Sequence, residues 1–423
     1  MPLFLRNSAF SRVTALASQR PVHAAFAWLH GNPKTIMDWQ TRLVVIPGPP
    51  FGEEARSQWL AARFAEIGLS DIRIDEIGNV FGVLPAANLP PESSGPVIVL
   101  SAHLDTVFPA HTPLNPILDG DRLEAPGACD NGAGVVGMMA IAQALLHGKV
   151  ALPATLIFMG NVGEEGEGDL RGVRHLYAQT ALAGRIAAHI ILDGPGADCA
   201  VTQALGSRRF QVTFTGPGGH SFTDAGTPNP IAALASALSA VAQTTLPDEP
   251  RTTLNLGTIL GGTSVNSIPE TAAASVDFRS TSPDQLRRLE SVLKTAVEEA
   301  AEFWNNRARP FRPREGLRNQ GRLAFSIEKI GDRPAAQLPG DSPLLDTLRA
   351  VDRHLGLHTE LMLGSTDANI PLSLAVPALS MGAGGSGGGA HTLAEWYNAK
   401  DREAGLRRVL LLCLAMSEWA SEQ

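Results

Sequence analysis

Cysteine is scarce in this chain. Its three copies among 423 residues, Cys129, Cys199 and Cys413, are odd in number and lack the spacing of a metal knuckle. That argues against a disulfide scaffold and fits a reducing compartment. An excess of positive charge is missing too. Lys and Arg total 34 against 42 Asp and Glu, the formal net charge is −8, and no basic run forms a stripe for nucleic acid. No apolar run is long enough to span a membrane. The first segment, "MPLFLRNSAFSRVTALASQR", is broken by Arg6, Asn7, Arg12 and Gln19, so it does not read as a secretory signal. The expected setting is cytoplasmic, with neither nucleic acid nor membrane as partner.

What is present is the balance of a globular protein: 44% hydrophobic and 18% charged residues, in a chain long enough for two domains. Residues 22–70 read as helices, "EEARSQWLAARFAEIG" being the clearest amphipathic stretch. Four apolar runs bounded by turn residues follow: "PVIVLSAHLDTV" (96–107), "ATLIFMG" (154–160), "AHIILDG" (188–194) and "VPALSMGAGG" (376–385). Between the first two lies a helix-period stretch over 131–148. Continuous apolar strands alternating with helices imply an α/β domain whose mainly parallel sheet is covered on both faces. The middle of the chain differs. Its strands and helices run β-α-β-β-α-β, the order of a ferredoxin-like unit. The reading is therefore a discontinuous α/β domain, 1–205 and 326–423, with a smaller domain inserted over 206–325.

Four of the α/β strands end in potential ligands. "IVLSAHLDTV" ends in His103 and Asp105, "LIFMGNVGEE" in Glu164 and Glu165, and "IILDG" in Asp193, while "LSMGAGGSGGGAH" leads to His391. Asp130, in "GACDNGAG", stands where a helix begins. The functional crevice of a parallel α/β sheet lies beyond the carboxyl ends of its strands. Singly, each residue has an ordinary explanation: a core histidine, a helix N-cap at Asp130, a turn at Asp193. Jointly these would require five coincidences of type and place. Two histidines and several carboxylates without paired cysteines suit a divalent ion such as zinc. They are too many for one tetrahedral ion with an open position, whereas two ions sharing a carboxylate account for them.

"SAHLDTV", "GACDNGAGV", "NVGEEGEGDLRG", "LDG" and "GGGAHTLAEW" resemble, in order, the motifs of the co-catalytic zinc peptidase and deacylase family. Peptidase T, carboxypeptidase G, aminoacylase, acetylornithine deacetylase and succinyl-diaminopimelate desuccinylase are members. The resemblance covers about residues 96–395 and includes the insertion. It implies a zinc-hydrolase catalytic domain in which His103 and Asp193 hold one metal, Glu165 and His391 the other, and Asp130 bridges. Glu164 would be the general base, and Asp105 the carboxylate that orients the His103 imidazole. Side by side at a strand end, Glu164 and Glu165 would then aim one at the water and one at a metal. In the inserted lid and dimerisation domain, "GPGGHS" implies that His220 reaches the substrate carbonyl across a homodimer. Asn266 and Arg279 would be polar substrate contacts, an ordinary ion pair being the competing explanation for Arg279.

The expected function is thus hydrolysis of a peptide or N-acyl amide bond by a hydroxide bridging two divalent metals, zinc with cobalt or manganese as alternatives. The substrate is expected to be a small peptide or an N-acyl amino acid. A deacylase in place of a peptidase is the nearer alternative. A dinuclear phosphoesterase and a metal-binding protein without catalysis lie further off, disfavoured by the lack of phosphate-binding basic groups and by the presence of Glu164. Two decoys remain. Gly382, Gly384 and Gly387 spell G-x-G-x-x-G, but no acidic residue follows at the required distance, and close backbone approach to metal and substrate is the preferred explanation. Cys129 reads as a small buried thiol. "GSTDAN" (364–369) matches a family motif without a derivable role.

Overall fold

A computed structural model describes residues 8–87, 95–179, 181–309 and 321–423. Their contacts divide the chain into two compact units, 1–204 with 337–423, and 205–336. The second unit extends further than the 206–325 read from sequence, because the strand Ala324–Arg333 belongs wholly to it.

The first unit is built on one large sheet. Its strands lie in the order Ser70–Ile74, Val80–Leu84, Thr155–Asn161, Val97–His103, Ile186–Leu192, Ala378–Met381 and Cys199–Ala204, with Glu360–Gly364 pairing Cys199–Ala204. The pairs around Val97–His103 are parallel, and its seven residues are all buried, as a central strand covered on both faces must be. The hairpin Ser70–Leu84 adds an antiparallel edge that apolar periodicity did not announce. Helix Gly132–Gly148 is buried along nearly its whole length. Helix Arg402–Ser421 is similarly covered and includes the fully buried Arg408, paired with Asp352 at 2.7 Å.

Register explains why the candidate ligands share one level. His103 is opposite Asn161 in the parallel ladder, so Glu164 and Glu165 follow three and four residues beyond that level. Ser101 is opposite Ile191, which sets His103 opposite Asp193. Side-chain chemistry that is scattered over 90 positions of sequence is thereby collected at the carboxyl ends of neighbouring central strands.

The second unit carries four antiparallel strands in the order Thr252–Gly261, Thr271–Ser280, Gly206–Thr215, Ala324–Arg333. With helices Pro230–Ala242 and Pro283–Arg307 this is the β-α-β-β-α-β arrangement. Alternation places Phe210, Val212, Phe214, Val276 and Phe278 against Leu234, Leu289 and Leu293 of the helices. Burial of each such side chain contributes about 1.5–3 kcal/mol. Both helices begin at a side-chain cap, Asn229 and Ser282, each followed by proline at the first position.

Candidate functional site

Asp130 is the centre of the cluster. Its Oδ1 lies 3.1 Å from His103 Nε2 and its Oδ2 lies 3.0 Å from His391 Nε2. His391 Nε2 is also 3.1 Å from Glu165 Oε1, and His103 Nε2 is 3.7 Å from Asp193 Oδ1. Three sets of donor atoms each converge within 4.8 Å: His103, Asp130 and Asp193; Asp130, Glu165 and His391; and His103, Glu164 and Glu165. The structure thus brings Asp105, His103, Asp130, Glu164, Glu165, Asp193 and His391 into one neighbourhood of the first unit.

Each of these is held by its surroundings. Asp130 precedes the helix without capping it, because the cap is Asn131. The Asn131 Oδ1 accepts the Gly134 and Gly194 amides, and its Nδ2 donates to the Leu192 carbonyl. One side chain thereby ties the helix start to the strand end that carries Asp193. The fully buried Glu395 accepts the backbone N–H groups of Gly127, Cys129 and Asp130, all at 2.8 Å. His391 adopts φ +64°, a left-handed conformation uncommon outside glycine, of the kind that clusters at functional sites.

Asp105 makes further contacts beside the imidazole it is expected to orient. Its carboxylate accepts the amides of Glu164 and Glu165 at 3.0 and 2.8 Å. The close neighbour of His103 Nδ1 is instead the Asp105 backbone carbonyl at 3.1 Å, with the carboxylate at 3.6 Å. Asp105 therefore orients both glutamates through their backbone as well as facing the imidazole. Arg56 lies beneath, buried, donating to the carbonyls of Ile46 and Leu104, and burial lowers its pKa to about 10.

Burial and pairing pull on the charges of this pocket in opposite directions. Burial pushes Glu165 up to about 7. Burial also works against the Asp130 charge, but hydrogen bonds from His103 and His391 outweigh it and hold Asp130 below the ordinary carboxylate range. His391 rises to about 9, first through its bond to Asp130. The charges of Asp130, Asp193 and Glu165 are met by histidines, and among the described residues none of the three is paired with Lys or Arg. A cluster richer in carboxylate than in cation, built of oxygen and imidazole nitrogen donors, fits divalent metal ions.

Asn131, Glu395 and Arg56 were not singled out from sequence, nor were Asp367 and Asn161. Asn161 Nδ2 donates to the buried Asp367 at 2.7 Å, and burial raises Asp367 to about 7. Proximity to named motifs was the available signal: Asn131 adjoins Asp130, Glu395 is four residues past His391, and Asp367 lies in "GSTDAN". Arg56 had none, being one charged residue of an amphipathic helix. The glycines of 382–387 receive a different explanation from the expected one. A Cβ at Gly382 or Gly384 would overlap the carbonyl oxygens of Pro195 or Arg402, so the close approach is to the chain's own backbone. Cys129 is buried, and burial raises its thiol pKa.

The remaining candidates lie in the second unit. The exposed His220 has Nδ1 placed to accept the amides of Phe222 and Thr223 at 3.2 and 3.4 Å, so its proton sits on Nε2. Asn266 is beside it, its backbone carbonyl accepting the Ser221 amide at 3.0 Å and its side-chain Oδ1 accepting the Ser264 hydroxyl at 3.0 Å. Arg279 is not. It stands eight positions along the strand Thr271–Ser280 from the end near Asn266, roughly 27 Å at the usual rise, and its Nε donates to Asp277 at 2.8 Å.

No described helix is long and apolar enough to cross a membrane. Among solved structures, a tripeptidase from Staphylococcus aureus is similar at a TM-score of 0.71 and 20% identity, over 92% of this chain and 99% of that one. A dinuclear metal-binding peptidase of family M20 from Bacillus subtilis matches at a TM-score of 0.62 and 17% identity, over 91% and 98%. At these identities the likeness establishes the fold. An Aspergillus flavus protein named "Probable carboxypeptidase" is 28% identical over 233 residues, 50% of this chain and 53% of its own length. The match thus spans about half the length of that curated relative. The profile of the Peptidase family M20/M25/M40 matches residues 99–415. The chain therefore belongs to the M20/M25/M40 peptidase family, whose members are metal-dependent.

Proposed function

We propose that the protein hydrolyses a peptide or N-acyl amide bond at a centre of two divalent metals, zinc in the first instance. The observation that carries this is the division of Asp130, one oxygen toward His103 and the other toward His391, the arrangement a carboxylate shared by two cations requires. His103 and Asp193 would hold one ion, and Glu165 and His391 the other. When bound, the ions polarise the scissile carbonyl and acidify the attacking water.

Glu164 is the general base. It takes the proton of the attacking water as the new C–O bond forms, then returns it to the amine nitrogen as the C–N bond breaks. Asp105 fixes its backbone by accepting its amide, which sets the point from which the carboxylate is aimed. His220, protonated on Nε2, is suited to donate to the carbonyl oxygen as charge develops there. By family resemblance it acts on the partner's substrate within a homodimer. Supporting that dimer, Thr252–Gly261 is an edge strand of the second unit carrying the exposed Ile259 and Leu260. Asn266 would add a polar contact beside His220. Arg279 would bind a substrate carboxylate, since Asp277 engages only its Nε.

Metal counting on purified variants tests the centre. Asp193→Ala and Glu165→Ala are each expected to lose one ion, and Asp130→Ala to weaken both. Wild-type metal content in Asp130→Ala would remove the shared carboxylate from the reading. A panel of tripeptides, C-terminal glutamate peptides and N-acetyl or N-succinyl amino acids separates peptidase from deacylase.

A further inference from the structure

The segment "GDLRG", at the end of the glutamate motif, has no part in the mechanism above, yet it leads back to Glu164. Asp169 and Leu170 take left-handed φ values of +47° and +63°, curling the chain so that Arg171, the first residue of helix Arg171–Gln179, returns beneath Gly163. The Arg171 amide donates to the Gly163 carbonyl at 3.1 Å, and the next amide, Gly172, donates to Val162 at 2.9 Å. Gly163 itself has φ +66°, and a Cβ there would stand 2.5 Å from Arg171 Cγ and 2.8 Å from its Cδ. The guanidinium is held in turn, Nη1 donating to the Ile77 carbonyl at 2.9 Å and Nη2 pairing with the nearly fully buried Glu53 at 2.7 Å.

We infer that Arg171 is a positioning residue for Glu164. Resting on the assignment of Glu164 as general base, the inference adds the device that aims it. Asp105 grips the turn through the amides of Glu164 and Glu165. Arg171 is the support on its other side, its stem filling the space that the missing Gly163 side chain leaves and its fork locked to Glu53 and Ile77. A planar two-pronged donor is needed because one nitrogen must reach each of two acceptors, which an ammonium cannot reproduce. A small rotation of the 163–164 peptide would redirect the carboxylate without removing any ligand, and misplacement by about 1 Å can cost on the order of a hundredfold in rate.

Full-length, metal-loaded Arg171→Met and Gly163→Ala are the test, the second pushing the Arg171 stem away from the other side. Both are expected to lower kcat roughly ten- to a hundredfold with KM and bound metal near wild type, assayed well below the melting transition because the positive φ at Gly163 and the buried Glu53 lead both variants to lose some melting temperature. Arg171→Lys, which keeps the stem and one prong, is expected to recover part of the loss. Unchanged kcat in Arg171→Met, or a fall in kcat that follows lost metal or is matched by an equal fall in the folded fraction at the assay temperature, overturns the inference. Should Arg171→Met fail to fold, Gly163→Ala and Arg171→Lys decide by the same criteria. Glu164→Gln runs alongside. Near-normal turnover there sinks the general-base reading and this inference with it, whereas an inactive Glu164→Gln beside a fully active Arg171→Met sinks the positioning role alone.

Discussion

The two units hold their polar chemistry in opposite ways. In the first, His103, Asp105, Glu164 and Glu165 are all buried and Asp105 meets the other three, while the buried Asn131 and Glu395 fix the backbone beside Asp193 and at Asp130. In the second, His220 and Asn266 are exposed, and Arg279 rests on one partly exposed aspartate. Burial makes an unmatched charge expensive, so the first unit must satisfy its groups internally and in doing so pre-sets their geometry. Exposure makes that demand lighter for the second unit's groups, which leaves their remaining contacts to whatever they meet. Function in the first unit can be argued from one chain. In the second, the proposed roles call for a substrate or a second copy of the chain.

The largest expected effect belongs to the buried side of that contrast. Glu164→Gln should retain both metals and lose about 10²–10⁴ in kcat, the scale of a general base, as checked by steady-state kinetics together with metal analysis. Next is His220→Ala, expected to cost about 10²–10³ in kcat if it is an oxyanion donor. Because its partner is proposed to be another copy, mixing His220→Ala with Glu164→Gln and allowing subunit exchange should restore activity. Mixtures that stay inactive after proven exchange would return His220 to its own subunit or to no catalytic purpose.

A smaller effect is expected at Arg279. Losing its fork in Arg279→Lys should raise KM for free-acid substrates roughly ten- to a hundredfold, about 1.5–3 kcal/mol for one charge-assisted contact, and leave the C-terminal amides nearly unaffected. Equal effects on acid and amide would reduce Arg279 to its ion pair with Asp277.

The smallest effect is on stability and lies wholly within the first unit. His189 is fully buried, 2.8 Å from Ser101 Oγ and 3.1 Å from the Tyr177 hydroxyl, and burial lowers its pKa to about 3. The folded state keeps it neutral while the unfolded state protonates it below about 6.5. Its contribution is therefore present above that pH and is lost as pH falls from about 6.5 toward 3. Melting temperatures of His189→Gln and wild type should converge over that interval. A gap that stays constant would mean that His189 does not titrate with unfolding.

Legibility followed the same division. His103, Glu164, Asp193 and His391 could be placed together because apolar strand runs are local patterns and parallel register aligns their ends. The antiparallel hairpin at Ser70–Leu84 was missed because short strands next to a helix carry little periodic signal. Glu395 and Asn131 were missed for another reason: a buried polar group is recognised by the backbone amides it satisfies, and those belong to residues far away in sequence.

What the sequence by itself determined is the alternation of strands and helices, the inserted β-α-β-β-α-β unit and the residue types available at the strand ends, since all of these arise from local propensity and periodicity. Only the tertiary structure decided that Asp130 divides its two oxygens between His103 and His391. The same holds for Asp105 gripping the glutamates by their backbone, and for Arg279 lying a strand's length from Asn266. Those relations depend on ladder register and on which buried donors meet which acceptors, and register is a property of pairs of segments that neither segment encodes alone.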